Sequence, residues 1–216
     1  MAIENPKLVA RIKALLAPDG GADREHNARD GSLGFGLIHY ALVTNLRPKR
    51  ALVIGSRYGF VPGIVALAMQ ANGGGGVDFV DANYDDAVDG FERGYGGVGH
   101  WARGTGGFKA LAVSDTVSVH IMRSEEFFDC CDETYGYVYL DGDHGYDGCH
   151  HDLEHSLAML DRGGIVTLHD VLVDAPEFGV RRVFAELPSD VYDKFAIPIW
   201  PGLGIVQPNN GSQRDG

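Results

Sequence analysis

Apolar positions along the chain fall into two kinds of run: helical spacing, and short unbroken blocks stopped by glycine or an acid. Residues 6–16 carry Leu8, Val9, Ile12, Leu15 and Leu16 at helical spacing, and Ala17-Pro18-Asp19-Gly20-Gly21 ends that helix. Residues 22–32 are polar and read as a loop, and a second helix is expected over 34–45, closed by Arg47-Pro48. Ala51-Leu52-Val53-Ile54-Gly55 is a short apolar block of the kind that forms a buried parallel strand. A helix over 61–71, four glycines and a strand over 77–81 complete one β-α-β unit. Further strands are expected at 117–122, 138–141 and 165–169, with helices at 151–160 and 180–187. Residues 195–199 and 204–206 suit a closing antiparallel hairpin, and the polar tail from Pro208 is expected to fray. Residues 83–107, rich in glycine and aromatic side chains, read as a lid or an irregular substrate wall.

Alternating strands and helices imply a doubly wound α/β sheet with helices on both faces. Ligands of such sheets bind beyond the carboxyl ends of the strands, so the residues just after each strand carry the candidate chemistry. These are Gly55-Ser56-Arg57-Tyr58-Gly59, then Asp81, Ser124-Glu125, Asp141-Gly142-Asp143-His144 and His169-Asp170. Glycines at 55 and 59 let a ligand approach backbone, though tight turns use glycine for their own sake. A carboxylate at Asp81 suits the two hydroxyls of a ribose, and turn and acid together favour a nucleoside ligand. The spacing is GxxxG, without the GxGxxG of dinucleotide sites or a phosphate-loop lysine, so a pyrophosphate is not required.

Charge narrows the partners. With 18 basic and 30 acidic residues the net charge is −12, a field that repels phosphate backbones and anionic lipid. No nucleic acid or membrane partner is expected, and no apolar run approaches membrane-spanning length. Three cysteines without CxxC spacing suit reduced thiols in the cytoplasm, the expected location. A homo-oligomer stays open. His151 and His155 have the i,i+4 spacing of a zinc pair but lack the HExxH glutamate, and read as helix surface; Asp85, Asp86 and Asp89 read as a solvated face.

Tyr137 to Gly148, containing Asp141-Gly142-Asp143-His144-Gly145-Tyr146, and then Gly163-Gly164 through His169-Asp170 resemble the class I S-adenosylmethionine-dependent methyltransferases. They most resemble the subgroup of the macrocin-type and cephalosporin-biosynthesis O-methyltransferases. The resemblance runs from about residue 50 to residue 206. It implies a mostly parallel seven-stranded, Rossmann-like sheet over 49–207, capped by N-terminal helices within 1–48, in one domain spanning 1–216. Gly55, Ser56, Tyr58 and Gly59 would surround the methionine part of S-adenosylmethionine. Asp81 would hold the ribose, and Ser124 and Glu125 the adenine edge, with Asp141 beside the cofactor. Asp141, His169 and Asp170 match the ligands of a divalent metal (magnesium or manganese) in metal-dependent members, and Asp143 or His144 would be the general base. His169 stands where the family has a carboxylate, which weakens the match to magnesium, and two carboxylates with a histidine would also suit manganese, iron or zinc. Val53 stands where the family often has glutamate, and the lysine of catechol methyltransferases is missing after Asp141. The implied activity is O-methylation of a small hydroxylated acceptor. The rivals are a non-catalytic nucleoside-binding module on the same fold and a metal-dependent hydrolase built on Asp141, His144, His169 and Asp170.

Overall fold

The computed structural model describes residues 3–83 and 100–209. Helix α1 (Pro6–Leu16) starts where Asn5 accepts the Lys7 amide at 3.0 Å with Pro6 at the first turn, and buries Val9, Ile12 and Leu16. A short helix α2 (Gly21–Glu25) lies inside the stretch expected to be loop, and α3 (Phe35–Leu46) follows. The core then runs β1 (Arg50–Ile54), α4 (Phe60–Ala71), β2 (Gly76–Asp81), a 3-10 turn (Trp101–Arg103), α5 (Gly106–Ala110) and β3 (Val117–Ile121). It continues through α6 (Ser124–Cys130), β4 (Tyr135–Leu140), α7 (Tyr146–Ala158), β5 (Leu160–His169), α8 (Val180–Glu186), β6 (Tyr192–Ile197) and β7 (Leu203–Pro208). The aromatic residues expected to line a lid, Tyr84, Phe91 and Tyr95, and the acids Asp85, Asp86 and Asp89 lie outside the described residues.

The sheet has seven strands in the order β3-β2-β1-β4-β5-β7-β6. Strands β1 to β5 are parallel, and β7 pairs antiparallel with both β5 and β6, which makes the closing hairpin anticipated from the pattern. Strand order reverses between β1 and β4, the switch point where a crevice opens above the carboxyl ends. One apolar cluster packs α1, α3 and α4 against one face, and a second packs α6, α7 and α8 against the other. Strand β4 is buried along its whole length. Tyr135 joins the second cluster while Tyr137 and Tyr139 join the first, and the pairing of β4 with β5 shifts register between Tyr135 and Tyr137. Among the described residues no helix is long and apolar enough to cross a membrane.

Candidate active site

The turn after β1 needs its glycines. Gly55 has φ +72°, and a Cβ there would stand 2.1 Å from the Asp141 carbonyl, so the ends of β1 and β4 touch backbone to backbone. Gly59 has φ +88°, and a Cβ would collide with Phe108 and Trp101. Ser56 Oγ accepts the Val61 amide at 3.2 Å and so ties the turn to the start of α4. Asp81, at the end of β2, accepts the Asn83 amide at 2.7 Å, and the Ser56 amide also bonds it. Burial pushes its carboxyl above the usual range despite those bonds. The Tyr58 ring meets His100 edge-on with centroids 5.0 Å apart.

Beyond β3, Ser124 and Glu125 open α6. The Ser124 hydroxyl lies in hydrogen-bonding reach of Asp152, a buried acid on α7 whose Oδ2 comes within 3.3 Å of where a Cβ on Gly142 would stand. Burial pushes Asp152 up to about 6.

The ends of β4 and β5 build a cluster of two carboxylates and two imidazoles. Tyr139, near the end of β4 and two residues before Asp141, donates its hydroxyl to Asp141 Oδ2 at 2.9 Å. His144 Nε2 stands 3.4 Å from Asp141 Oδ1 and 3.2 Å from Asp170 Oδ2. His169 Nδ1 stands 3.4 Å from Asp141 Oδ1 and 3.1 Å from Asp170 Oδ1, while its Nε2 bonds the Glu25 carbonyl at 2.9 Å. Asp170 holds a left-handed backbone, φ +62°, a strained conformation for a non-glycine residue. Burial alone would raise Asp141 and depress both histidines. The mutual attraction wins, holding Asp141 well below the usual carboxylate range, raising His144 to about 9 and moving His169 well upward. Asp141, His144 and Asp170 each offer a ligand atom within 4.8 Å of the others, a spacing that fits one divalent ion. With imidazole nitrogen in the set, manganese, iron or zinc suits it better than magnesium.

Asp143 is placed differently from its neighbours. Its Oδ1 accepts the Gly145 amide at 2.7 Å, and a Cβ on Gly148 would lie 2.3 Å from its Oδ2, so the carboxylate sits against the start of α7. Glu125 is exposed on the first turn of α6. Gly55, Ser56, Asp81 and Asp141 share one rim, and Asp141, His169 and Asp170 meet beside it.

A sequence model described as a methyltransferase domain matches residues 52–171, more than half of the 216. The chain belongs to that family. No curated protein sequence matches it. The fold of this methyltransferase domain is shared with solved structures of low sequence identity. An O-methyltransferase from Bacillus cereus in complex with S-adenosylhomocysteine superposes with a TM-score of 0.69 at 15% identity, over 93% of this chain and 91% of that one. TomG from Streptomyces achromogenes, an O-methyltransferase of tomaymycin synthesis in complex with S-adenosylmethionine, gives 0.66 at 16% identity, covering 94% and 96%. The S-adenosylhomocysteine-bound methyltransferase PaMTH1 of Podospora anserina gives 0.67 at 16% identity, covering 94% and 87%.

Four residues of the methyltransferase domain's crevice carry no motif. Arg57, in the β1 turn, pairs with Glu25 at 2.7 Å and Asp19 at 3.1 Å, fastening α2 above the site. Burial raises the Glu25 carboxyl against the pull of Arg57. Tyr139 is legible only as the same-face neighbour of Asp141. Asp152 is legible only as an acid in the apolar stripe of α7, beside buried Cys149 and Leu153.

Proposed function

We propose that the domain transfers the methyl group of S-adenosylmethionine to a hydroxyl of a small metabolite, in the manner of the macrocin-type and cephalosporin-biosynthesis O-methyltransferases. The observation that carries this reading is the shared rim: Gly55, Asp81 and Asp141 end three adjacent strands at the switch in strand order. The glycine turn leaves room for the methionine part, and the Asp81 carboxylate accepts the ribose hydroxyls, with Ser124 farther along the same edge at the end of β3. The S-adenosylmethionine and S-adenosylhomocysteine complexes of the two O-methyltransferases of this fold support that cofactor.

S-adenosylmethionine supplies a methyl group already activated by sulfonium charge: the S–C bond breaks as the O–C bond forms, and S-adenosylhomocysteine leaves. The chain's own task is alignment and removal of one proton. Of the two bases expected from the sequence, His144 stands in the cluster, while Asp143 is committed to α7. His144 Nε2 would take the acceptor's proton, and because Asp141 and Asp170 keep its imidazole protonated up to about 9, this route calls for alkaline pH. Asp141, His169 and Asp170 would hold a divalent cation, which when bound would orient the acceptor oxygen and lower its pKa. Glu25 and Arg57, fastened over the crevice by the ion pair and by the Glu25–His169 bond, exclude water from one side.

Titration calorimetry with S-adenosylhomocysteine, with and without divalent metal, tests the cofactor. Binding of one equivalent is expected, and no binding under either condition overturns the reading in favour of a hydrolase. A protein that binds but methylates no hydroxylated acceptor in a broad screen is the non-catalytic module.

A further inference from the structure

Arg57 stands in the turn between Gly55 and Gly59. Its φ of +45° is left-handed, a conformation that favours glycine, so the turn itself does not call for arginine. The guanidinium has a definite place. Nη1 meets Glu25 Oε1 at 2.7 Å and Asp19 Oδ2 at 3.1 Å, the first acid in α2 and the second just before it. A Cβ on Gly21 would stand 3.0 Å from Asp19 Oδ1, 3.2 Å from Arg57 Nη1 and 3.4 Å from Glu25 Oε2, so the three side chains gather at the start of α2.

These charges are within reach of a ligand: the Arg57, Asp19 and Glu25 side chains are 21, 27 and 33% exposed. Their surroundings are acidic. Glu25 lies in the field of Asp141 as well as Asp19, and burial raises its carboxyl in spite of Arg57 and His169. A positive group beside Glu25 is therefore welcome. Asp81 and Asp141 flank the glycine turn and would repel a carboxylate placed there; Arg57 is a counter-charge within the turn itself. The amino-acid head of S-adenosylmethionine carries both an ammonium and a carboxylate. A guanidinium fork suits the carboxylate, and carboxylates accept the ammonium.

We infer that Arg57, Glu25 and Asp19 form the subsite for the amino-acid head of the cofactor, the guanidinium taking its carboxylate and the two acids its ammonium. Resting on the methyl-transfer reading, the subsite sorts ligands by their heads. Both charges of a zwitterion arrive together, so each group of the triad exchanges one partner for another and none is left unpaired. A ligand with one charge or none gains less. The Glu25 carbonyl bonds His169 Nε2, so the segment that meets the head also steadies the cluster at the ends of β4 and β5.

Calorimetry on the full chain compares three ligands: S-adenosylhomocysteine, its decarboxylated analogue, which keeps only the ammonium, and 5′-methylthioadenosine, which has no head. Arg57→Gln is expected to weaken S-adenosylhomocysteine by about tenfold to a hundredfold, the worth of a charge-assisted pair, while weakening neither of the others by more than about twofold. Glu25→Gln should weaken S-adenosylhomocysteine and the decarboxylated analogue by about tenfold and leave 5′-methylthioadenosine as it was. Undiminished binding of 5′-methylthioadenosine shows that each variant keeps its nucleoside pocket. Equal losses for all three ligands would make the triad a fastening of α2 alone and overturn the inference. Wild-type protein that binds 5′-methylthioadenosine as tightly as S-adenosylhomocysteine does the same, while the cofactor reading stands. Wild-type protein that binds none of the three removes that reading, and the subsite with it.

Discussion

At the scale of single residues, the acid at the end of β2 separates binding from stability. Asp81 is pushed upward by burial, so its charge is held at a cost that its backbone bonds reduce but do not cancel. On the proposed reading that carboxylate is kept for the ribose hydroxyls of the cofactor. Asp81→Asn retains an oxygen for the Asn83 amide while removing the charge and an acceptor for the ribose. The expected outcome is an apo melting temperature unchanged or raised, with affinity for S-adenosylhomocysteine lowered at least about tenfold, roughly one charged hydrogen bond. Thermal unfolding and calorimetry on the same preparation check both halves. A parallel loss of stability and affinity would make Asp81 a structural residue.

At the scale of elements, most of the fold could be read from the chain because each buried element presents an unbroken apolar face. Helix α1 falls on its expected residues, and β1, β2 and the closing hairpin lie within a few positions of theirs. The misses have local causes. Helix α2 spans five residues held by tertiary ties, too few to show a period. The strand expected at 165–169 begins earlier, at Leu160, taking in Gly163 and Gly164 and pairing Leu160 with Tyr135. The strand-end acids were legible as a set, because topology alone puts strand ends together. The direction of each side chain was not: Asp143 and His144 are neighbours, and one turns to α7 while the other joins the cluster. Helix α2 also supports a prediction. It is tied to the β1 turn by Arg57 through Glu25 and Asp19, and to β5 through His169. Arg57→Ala removes the first tie only. Amide exchange over residues 19–34 should quicken about tenfold, with strand amides unchanged and global stability lowered by no more than about 1 kcal/mol, since the pair is partly solvated. Uniform quickening across the sheet would show that the cap is not an independent unit.

At the scale of the whole molecule, buried ionisable groups of opposite habit share one core, and their pH effects oppose one another. His26 and His39 are buried and neutral: burial depresses His26 to about 3 and His39 well below its ordinary value. The unfolded chain takes up a proton on each near 6.5 while the folded chain does not, so both remove stability as pH falls below that point. Asp152, raised to about 6, acts in the other direction, adding stability as pH falls through 6 towards its unfolded value near 4. His144, raised to about 9, contributes stability in full below 6.5 that is lost as pH rises towards 9. The net curve of the wild type therefore hides each group, and only a difference exposes one. His39 Nδ1 bonds the Tyr137 hydroxyl at 2.6 Å, which bonds Thr167 at 3.1 Å, and His39→Gln can keep that bond while abolishing the titration. Urea unfolding of both proteins from pH 7.5 to 5 should show the variant gaining on the wild type by about 1.4 kcal/mol per pH unit below 6.5, and by nothing above it. A difference that stays flat over the whole range would mean that His39 takes up its proton equally in the folded and unfolded chains, and that the layer beneath the cluster is open to water.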